Sequence, residues 1–388
     1  MKRVVLILSV IFSSVGFLSA QVPSGVVVNH IPASSQKYLG SPAICMLPDG
    51  RIFVSNDYFG PKSTEKDAAV TDIFVSEDGG ESFTKVSSVK GQFWSSLFAR
   101  NNTLYLLGTY RAHGNVVIRK SDDFGRTWSV PCHPKNGLIA EGEYHTAPVP
   151  VLEYKERIWR AFEYATAREP VWPERYSAVV FSAPANSDLL DASNWRKSTV
   201  LPSEKPQLDG KFRGWLEGNV VYDKAGKSLV DILRVHAPSE KNEYCAKVRI
   251  SSNGRKLSFT PDKDIIPFPG GSKKFTIRYD ESTGKYWTLS NVTDPDSLGG
   301  IQNDRVRNKL ALCCSEDLVG WTVTRVIMEH PDCLNHGFQY ADWIFDGNDI
   351  LAVIRTSFED EEGQAQNYHN SNYIVFKRIS CYSDENHR

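Results

Sequence analysis

Ser76-Glu77-Asp78-Gly79-Gly80-Glu81-Ser82-Phe83, Ser121-Asp122-Asp123-Phe124-Gly125-Arg126-Thr127-Trp128 and the looser Ser315-Glu316-Asp317-Leu318-Val319-Gly320-Trp321 are versions of one short pattern. Each follows an apolar, β-branched run and leads into another, so Asp and Gly supply a tight turn and the aromatic a packing anchor. Weaker relics stand at Ser182 to Trp195 and Ser251 to Phe259. A second hairpin type alternates with this one, built on polar turns such as Pro48-Asp49-Gly50, Arg100-Asn101-Asn102 and Phe345-Asp346-Gly347. Its copies begin near positions 48, 100, 154, 222, 279 and 345.

One hairpin of each type makes a four-stranded module, and direct counting gives six. The spacing lies near the upper end of the roughly 40 to 50 residues of propeller repeats. The last module is a hairpin, Phe338 to Ser357, plus a lone strand, Asn372 to Arg378, while the N-terminal strand Gly25 to His30 has no neighbour in sequence. These two should pair and close a ring, removing the exposed edges of an open sheet. Helix-period patterns are nearly absent, and no Pro-rich, Ser-rich or charged linker divides the chain. A single domain over 21–388 is expected.

Lys2 and Arg3, the apolar run Val4 to Leu18 and the small residues before Gln21 have the three-part pattern of a secretory signal peptide over 1–20. The run is shorter than the roughly 20 residues of a spanning helix, so a secreted or periplasmic monomer without stable membrane insertion is expected. A net charge of −1, from 45 basic and 46 acidic side chains, offers no field for nucleic acid. The seven cysteines are scattered without paired zinc spacing, and an odd number excludes complete internal pairing. No metal, nucleotide or other cofactor motif appears.

The inner strands of a propeller converge on a central channel, so polar residues at their starts can meet although far apart in sequence. His145 and His336 hold such places in the third and last modules and suit general acid or base work. Glu217, in Trp215-Leu216-Glu217-Gly218-Asn219, either pairs with a buried cation or titrates. Arg213, Lys274 and Arg355 offer cations for a carboxylate-bearing sugar, with Asn219, Gln339 and Tyr340 as further substrate contacts. Trp94, Tyr110, Trp172, Tyr340 and Trp343 are aromatics that could stack on sugar rings. His113, His236 and His330 have weaker settings, whereas His369 lies in a loop that could reach the same face.

The repeated turns resemble the Asp box (BNR repeat) of sialidase-type β-propellers, S-x-D-x-G-x-T-W. Together with Tyr144-His145-Thr146-Ala147-Pro148, Gly214-Trp215-Leu216-Glu217-Gly218-Asn219 and His336-Gly337-Phe338-Gln339-Tyr340-Ala341-Asp342-Trp343, they make the chain similar to a sialidase-like group of secreted propellers. That group includes the α-L-rhamnosidases of glycoside hydrolase family 145 and the ulvan lyases of polysaccharide lyase family 25. Those families have seven blades, so the implied fold is all-β, a closed six- or seven-bladed propeller. The implied activity is cleavage of an acidic, uronate-containing glycan by exo-hydrolysis or β-elimination. Asn56 stands where the rhamnosidase resemblance implies a catalytic histidine, and Asn cannot act as a proton-transfer base. A noncatalytic glycan-binding propeller and an exo-sialidase are the alternatives, the latter without an arginine triad recognisable from motifs.

Overall fold

The computed structural model describes residues 22–165, 172–203, 208–238 and 241–384; the expected signal peptide lies outside them. Every strand pairing is antiparallel, and most strands pair with their neighbours in sequence. The first sheet runs Tyr38–Leu39 and Ala43–Met46, both on Ile52–Phe59, then Val70–Ser76 and Thr84–Lys90. A nine-stranded sheet follows. It holds one meander, Phe93–Arg100, Thr103–Thr109, Gly114–Ser121 and Leu138–His145, and a second through Leu152–Tyr154, Arg157–Ala165 and Tyr176–Pro184, with short strands beyond. The third sheet contains Gly214–Asp223, Ser228–His236 and Tyr244–Ile250, and the fourth Thr276–Asp280, Lys285–Asn291, Lys309–Ser315 and Trp321–Glu329. The last contains Gly337–Asp346, Asp349–Ser357, Tyr373–Ile379 and Val26–His30.

Val26–His30 does pair with Tyr373–Ile379, so the N-terminal strand completes the last sheet. The arrangement is all-β and propeller-like, but among the described residues its sheets number five and not six or seven. The physical reason is local: Tyr144 pairs with Tyr164 and His145 with Glu163, and these two rungs fuse the second and third meanders.

Apolar side chains of neighbouring meanders pack face to face around the ring. Phe53 and Ile73 meet Leu97 and Leu104, Ile118 meets Phe162 and Phe181, and Trp159 meets Trp215 and Val220. Ile232 then meets Phe275 and Ile277, Trp287 and Leu312 meet Trp343 and Ile354, and Val353 and Phe376 return to Val54 and Phe74. Such burial is worth about 1.5–3 kcal/mol per large side chain, and here it is spread over the circle instead of gathered at one centre.

The repeated turns fasten neighbouring sheets. In the second copy Asp123 accepts from Ser121 Oγ, the Thr127 N–H and Thr127 Oγ1, and Ser121 Oγ accepts the Gly125 N–H. The first copy repeats the set with Ser76, Asp78, Gly80 and Ser82, and Asn253 takes the Asp place in the relic at Ser251. Each aromatic reaches back to the preceding sheet: Phe83 to Phe376, Trp128 to Ser87 Oγ, Trp321 to Phe268. Gly80, at φ 100°, lies against Phe376, where a Cβ would come within 2.2 Å of the ring.

The seven cysteines form no disulfide, and four of them are buried. Among the described residues no helix is long and apolar enough to cross a membrane.

Candidate active site

Three inner strands carry the same irregularity. Phe93–Arg100, Gly214–Asp223 and Gly337–Asp346 each slip register, between Phe93 and Ser96, Leu216 and Asn219, and Gln339 and Asp342. At each bulge one non-glycine residue takes a left-handed conformation: Trp94 at φ 49°, Glu217 at 59°, Tyr340 at 53°. Such bulges re-aim a side chain, and strain of this kind persists only where the surroundings over-determine it. A buried polar group of the preceding sheet does so in every case. Asp57 accepts the Trp94 N–H at 2.7 Å, Glu163 accepts the Gly218 N–H at 3.2 Å, and Lys274 Nζ and Thr276 Oγ1 donate to the Ala341 carbonyl at 2.8 and 2.9 Å.

Two of the re-aimed side chains meet. Tyr340 Oη donates to Glu217 Oε1 at 2.7 Å, and Arg234 Nη1 donates to Glu217 Oε2 at 3.0 Å. Burial pushes the Glu217 carboxyl up, but Arg234, His145 and the tyrosine bond outweigh it and hold the group below its ordinary value. Burial and the Glu217 charge raise Tyr340, so its hydroxyl stays protonated. Two more arginines flank the tyrosine ring, Arg355 at 4.8 Å and Arg307 at 5.8 Å from its centroid. Arg355 is held by the His369 carbonyl and Ser371 Oγ, and Arg307 by the Asp304 carbonyl and the Gln339 amide oxygen.

Behind Glu217 lies a stack of rings and carboxyls. His145 Nδ1 is 2.8 Å from Glu163 Oε2. Its ring lies 4.5 Å from both Trp94 and Tyr176, with His113 beyond, bonded to the Tyr176 hydroxyl. Burial lowers His145 to about 4 and raises Glu163 to about 8. Asp231 is buried next to Gly218, both carboxyl oxygens lacking a hydrogen-bond partner among the described residues, and burial raises it far above the carboxylate range. The centre thus keeps one carboxylate charged while its neighbours stay neutral, the separation that assigns acid and base roles in known active sites.

No protein-family model matches the chain, and no curated protein matches it. Solved structures do match. The Hadza microbial sialidase Hz136 is 12% identical over 92% of this chain and 68% of that one, with a TM-score of 0.59. The α-L-arabinofuranosidase Arb93A from Fusarium graminearum, in complex with an iminosugar inhibitor, is 12% identical over 92% and 97%, with a TM-score of 0.57. The Trypanosoma rangeli sialidase in complex with sialic acid is 12% identical over 89% of this chain but 54% of its own, with a TM-score of 0.55. The fold is that of the sialidase-like propellers.

Within this propeller, Glu217, Tyr340, Arg355 and His145 belong to the central group. Gln339 positions Arg307, and Asn219 bridges the Glu217 and Phe275 carbonyls, so both shape the site from behind. Lys274, buried, is committed to Thr276 and Ala341, and burial lowers it to about 8. Arg213 is half-exposed at the rim, paired with Glu174. Asn56 is fully buried, accepting from Asn29 Nδ2 and donating to the Asp57 carbonyl, which makes it part of the seam with the closing strand.

His336 forms a cluster of its own. Its ring nitrogens face Asp332 at 3.2 Å and Glu359 at 2.6 Å, and it stacks on His330 with centroids 3.5 Å apart and planes 19° from parallel. His330, His336 and Glu359 are donors of metal-ligand type within 4.8 Å of one another. Near-parallel rings, however, aim their in-plane lone pairs side by side, and His330 Nδ1 already accepts the Asp332 N–H. As it stands the group is a hydrogen-bonded charge cluster.

Sequence reasoning missed Arg234, Arg307 and Glu163 and gave His113 and His236 little weight. One pattern could have located the bulges: a large residue, a small one, then a polar one, as in Trp94-Ser95-Ser96, Glu217-Gly218-Asn219 and Tyr340-Ala341-Asp342. A cavity of about 740 Å³ lies elsewhere, beside Trp287, Trp321 and Arg325, and no histidine lines it.

Proposed function

We propose that the protein is a carbohydrate-active enzyme that removes a terminal carboxylate-bearing sugar from a glycan, with Tyr340 as the attacking group. The observation that carries this reading is the Tyr340–Glu217–Arg234 contact, with Arg307 and Arg355 beside the same tyrosine. A phenol is a poor nucleophile until its proton has somewhere to go, and the ionised Glu217 at 2.7 Å is that acceptor. A neutral phenol also approaches an anomeric carbon next to a carboxylate without the like-charge repulsion a carboxylate nucleophile would meet. Arg307 and Arg355 supply forked donors for the sugar's acid group.

In this scheme Tyr340 Oη bonds to the anomeric carbon while its proton passes to Glu217. The glycosidic bond breaks, and the departing oxygen takes a proton from an acid. Glu65 fits that role by chemistry: it is half-buried in the loop after Ile52–Phe59, and burial raises its carboxyl, with Lys66, the Gly60 backbone and then Arg355 offsetting the shift in part. Water then attacks the same carbon, giving its proton to Glu65 as the tyrosyl bond breaks and Glu217 returns a proton to the phenolate. Sialidase and arabinofuranosidase structures among the neighbours support a glycan as the substrate class.

A second reading, β-elimination on a uronate, is favoured by the arginines: they would neutralise the carboxylate while Tyr340, its own proton passed to Glu217, takes the adjacent ring proton, the glycosidic bond at the next carbon breaks and the departing oxygen takes a proton from Glu65. Incubation with sialosides, ulvan-type uronates and rhamnose-capped arabinogalactan separates the cases. Released acidic monosaccharide is expected. An unsaturated, ultraviolet-absorbing uronate would replace hydrolysis by elimination, and binding without products would make the protein a lectin.

The nine-stranded sheet is best counted as two blades, for six in all, with the repeated turns as Asp boxes and residues 21–388 as one unit. Secretion as a monomer after removal of residues 1–20 completes the reading, supported by the charge and apolar pattern of that segment.

A further inference from the structure

His330, His336 and Glu359 come from three separate places in the chain. His330 follows the outer strand Trp321–Glu329, His336 immediately precedes Gly337–Asp346, and Glu359 stands two residues after Asp349–Ser357. Their ligand atoms nevertheless gather within 4.8 Å of one another. A tetrahedral ion bound at about 2.0–2.2 Å holds such atoms roughly 3.4 Å apart, so the widest pair has about 1.4 Å to close.

The surroundings point the same way. His336 Nδ1 faces Asp332 Oδ2 at 3.2 Å, the outer carboxylate that orients a ligating imidazole and aims its other nitrogen. That nitrogen, Nε2, is aimed at Glu359 Oε2, 2.6 Å away. Phe358 stands edge-on to both rings, its centroid 5.0 Å from His336 and 5.8 Å from His330, and closes one side with apolar surface. The other side opens on a cavity of about 350 Å³, lined by the three residues with Asp332, Gly363 and Gln364. That opening gives an ion a way in and leaves it a coordination position.

We propose that this cluster is a zinc site, with His330, His336 and Glu359 as ligands and Asp332 behind His336. Protons and metal compete for the same lone pairs, so zinc binding exchanges the His336–Glu359 hydrogen bond for two metal bonds. It also requires the His330 ring to turn out of its near-parallel stack and give up the Asp332 N–H. His330 is the half-buried ring of the pair, and the cavity beside it leaves space for that turn. Two imidazoles select zinc over calcium and magnesium, which take oxygen ligands. The ion ties the end of the fourth sheet to the last and braces the strand that carries Tyr340. The site stands independently of the catalytic reading.

To test this, full-length protein dialysed against a chelator is titrated with zinc chloride by calorimetry, and with cobalt chloride by visible absorption. One ion per chain is expected, at about 1 µM or tighter, with a higher melting temperature in zinc and, for cobalt, the strong visible bands of a four-coordinate site. His330→Ala and the isosteric Glu359→Gln should each abolish this binding, the second keeping the test open if the first folds poorly. Asp332→Asn should weaken it by about tenfold to a hundredfold, the cost of losing an outer carboxylate. No uptake, or uptake undiminished in both His330→Ala and Glu359→Gln, overturns the proposal. So does a near-ultraviolet cobalt–thiolate band, which would put the metal on the exposed Cys132 or Cys381.

Discussion

Glu217 is ionised where a carboxylate is expensive to bury, and its neighbours account for it. Arg234 takes one oxygen and Tyr340 the other, so removing a partner should cost more than removing the chemistry. Tyr340→Phe should lower turnover by about two to four orders of magnitude while the melting temperature moves little. Glu217→Ala, which strands the buried Arg234 cation, should cost about 3–5 kcal/mol of stability as well. Calorimetry beside kinetics on both variants checks the contrast. Glu163 behaves oppositely, because burial raises its carboxyl to about 8. A folded-state value above the unfolded one contributes stability that is complete below the ordinary carboxylate range and is lost as pH rises through about 8. Melting curves from pH 5 to 9 should therefore show Glu163→Gln gaining on the wild type as pH rises. A constant difference would mean that Glu163 is already ionised at pH 5.

At the scale of the element, the bulge decides where chemistry can sit. Strand alternation alone would send Glu217 and Tyr340 to a sheet face, and one extra residue per strand turns them toward the centre. Gly218 shows how little room that geometry leaves: a Cβ there would come within 2.2 Å of Asp231 Oδ1. Gly218→Ala should cost about 1–3 kcal/mol, the usual range for overpacking, and reduce turnover by displacing Glu217, read by denaturant unfolding and kinetics. Elements are also where the sequence was most informative. The repeated turns, the hairpins between them and the pairing of Val26–His30 with Tyr373–Ile379 follow from local turn chemistry and period-two patterning. Tyr340 and Glu217 could be named because they lie near the starts of inner strands, and Arg355 as a cation suited to a sugar's acid group. Arg307 comes from a long loop and Arg234 from a second strand whose facing depends on a register slip, and neither leaves a local trace. Lys274 was legible as important, but as a sugar contact; its bond to the Ala341 carbonyl makes it a support for the tyrosine.

Across the whole molecule, stability depends on each sheet leaning on the next, with Val28, Ile374 and Phe376 joining the last sheet to Val54 and Phe74 of the first. Deleting the residues before Ile31 would bare the edge of Tyr373–Ile379, an unpaired strand of the kind that aggregates. The truncated chain should unfold less cooperatively and elute partly as aggregate on size exclusion. The seam also has a topological consequence. Val26–His30 and Tyr373–Ile379, the first and last of the described strands, lie side by side, so the order in which the ribosome makes the sheets is not written into the ring. A circular permutant, the described first and last strands joined by a short Gly-Ser tether and new ends opened at the exposed Asn101-Asn102 turn, should refold to the same molecule with Glu217, Arg234 and Tyr340 in register.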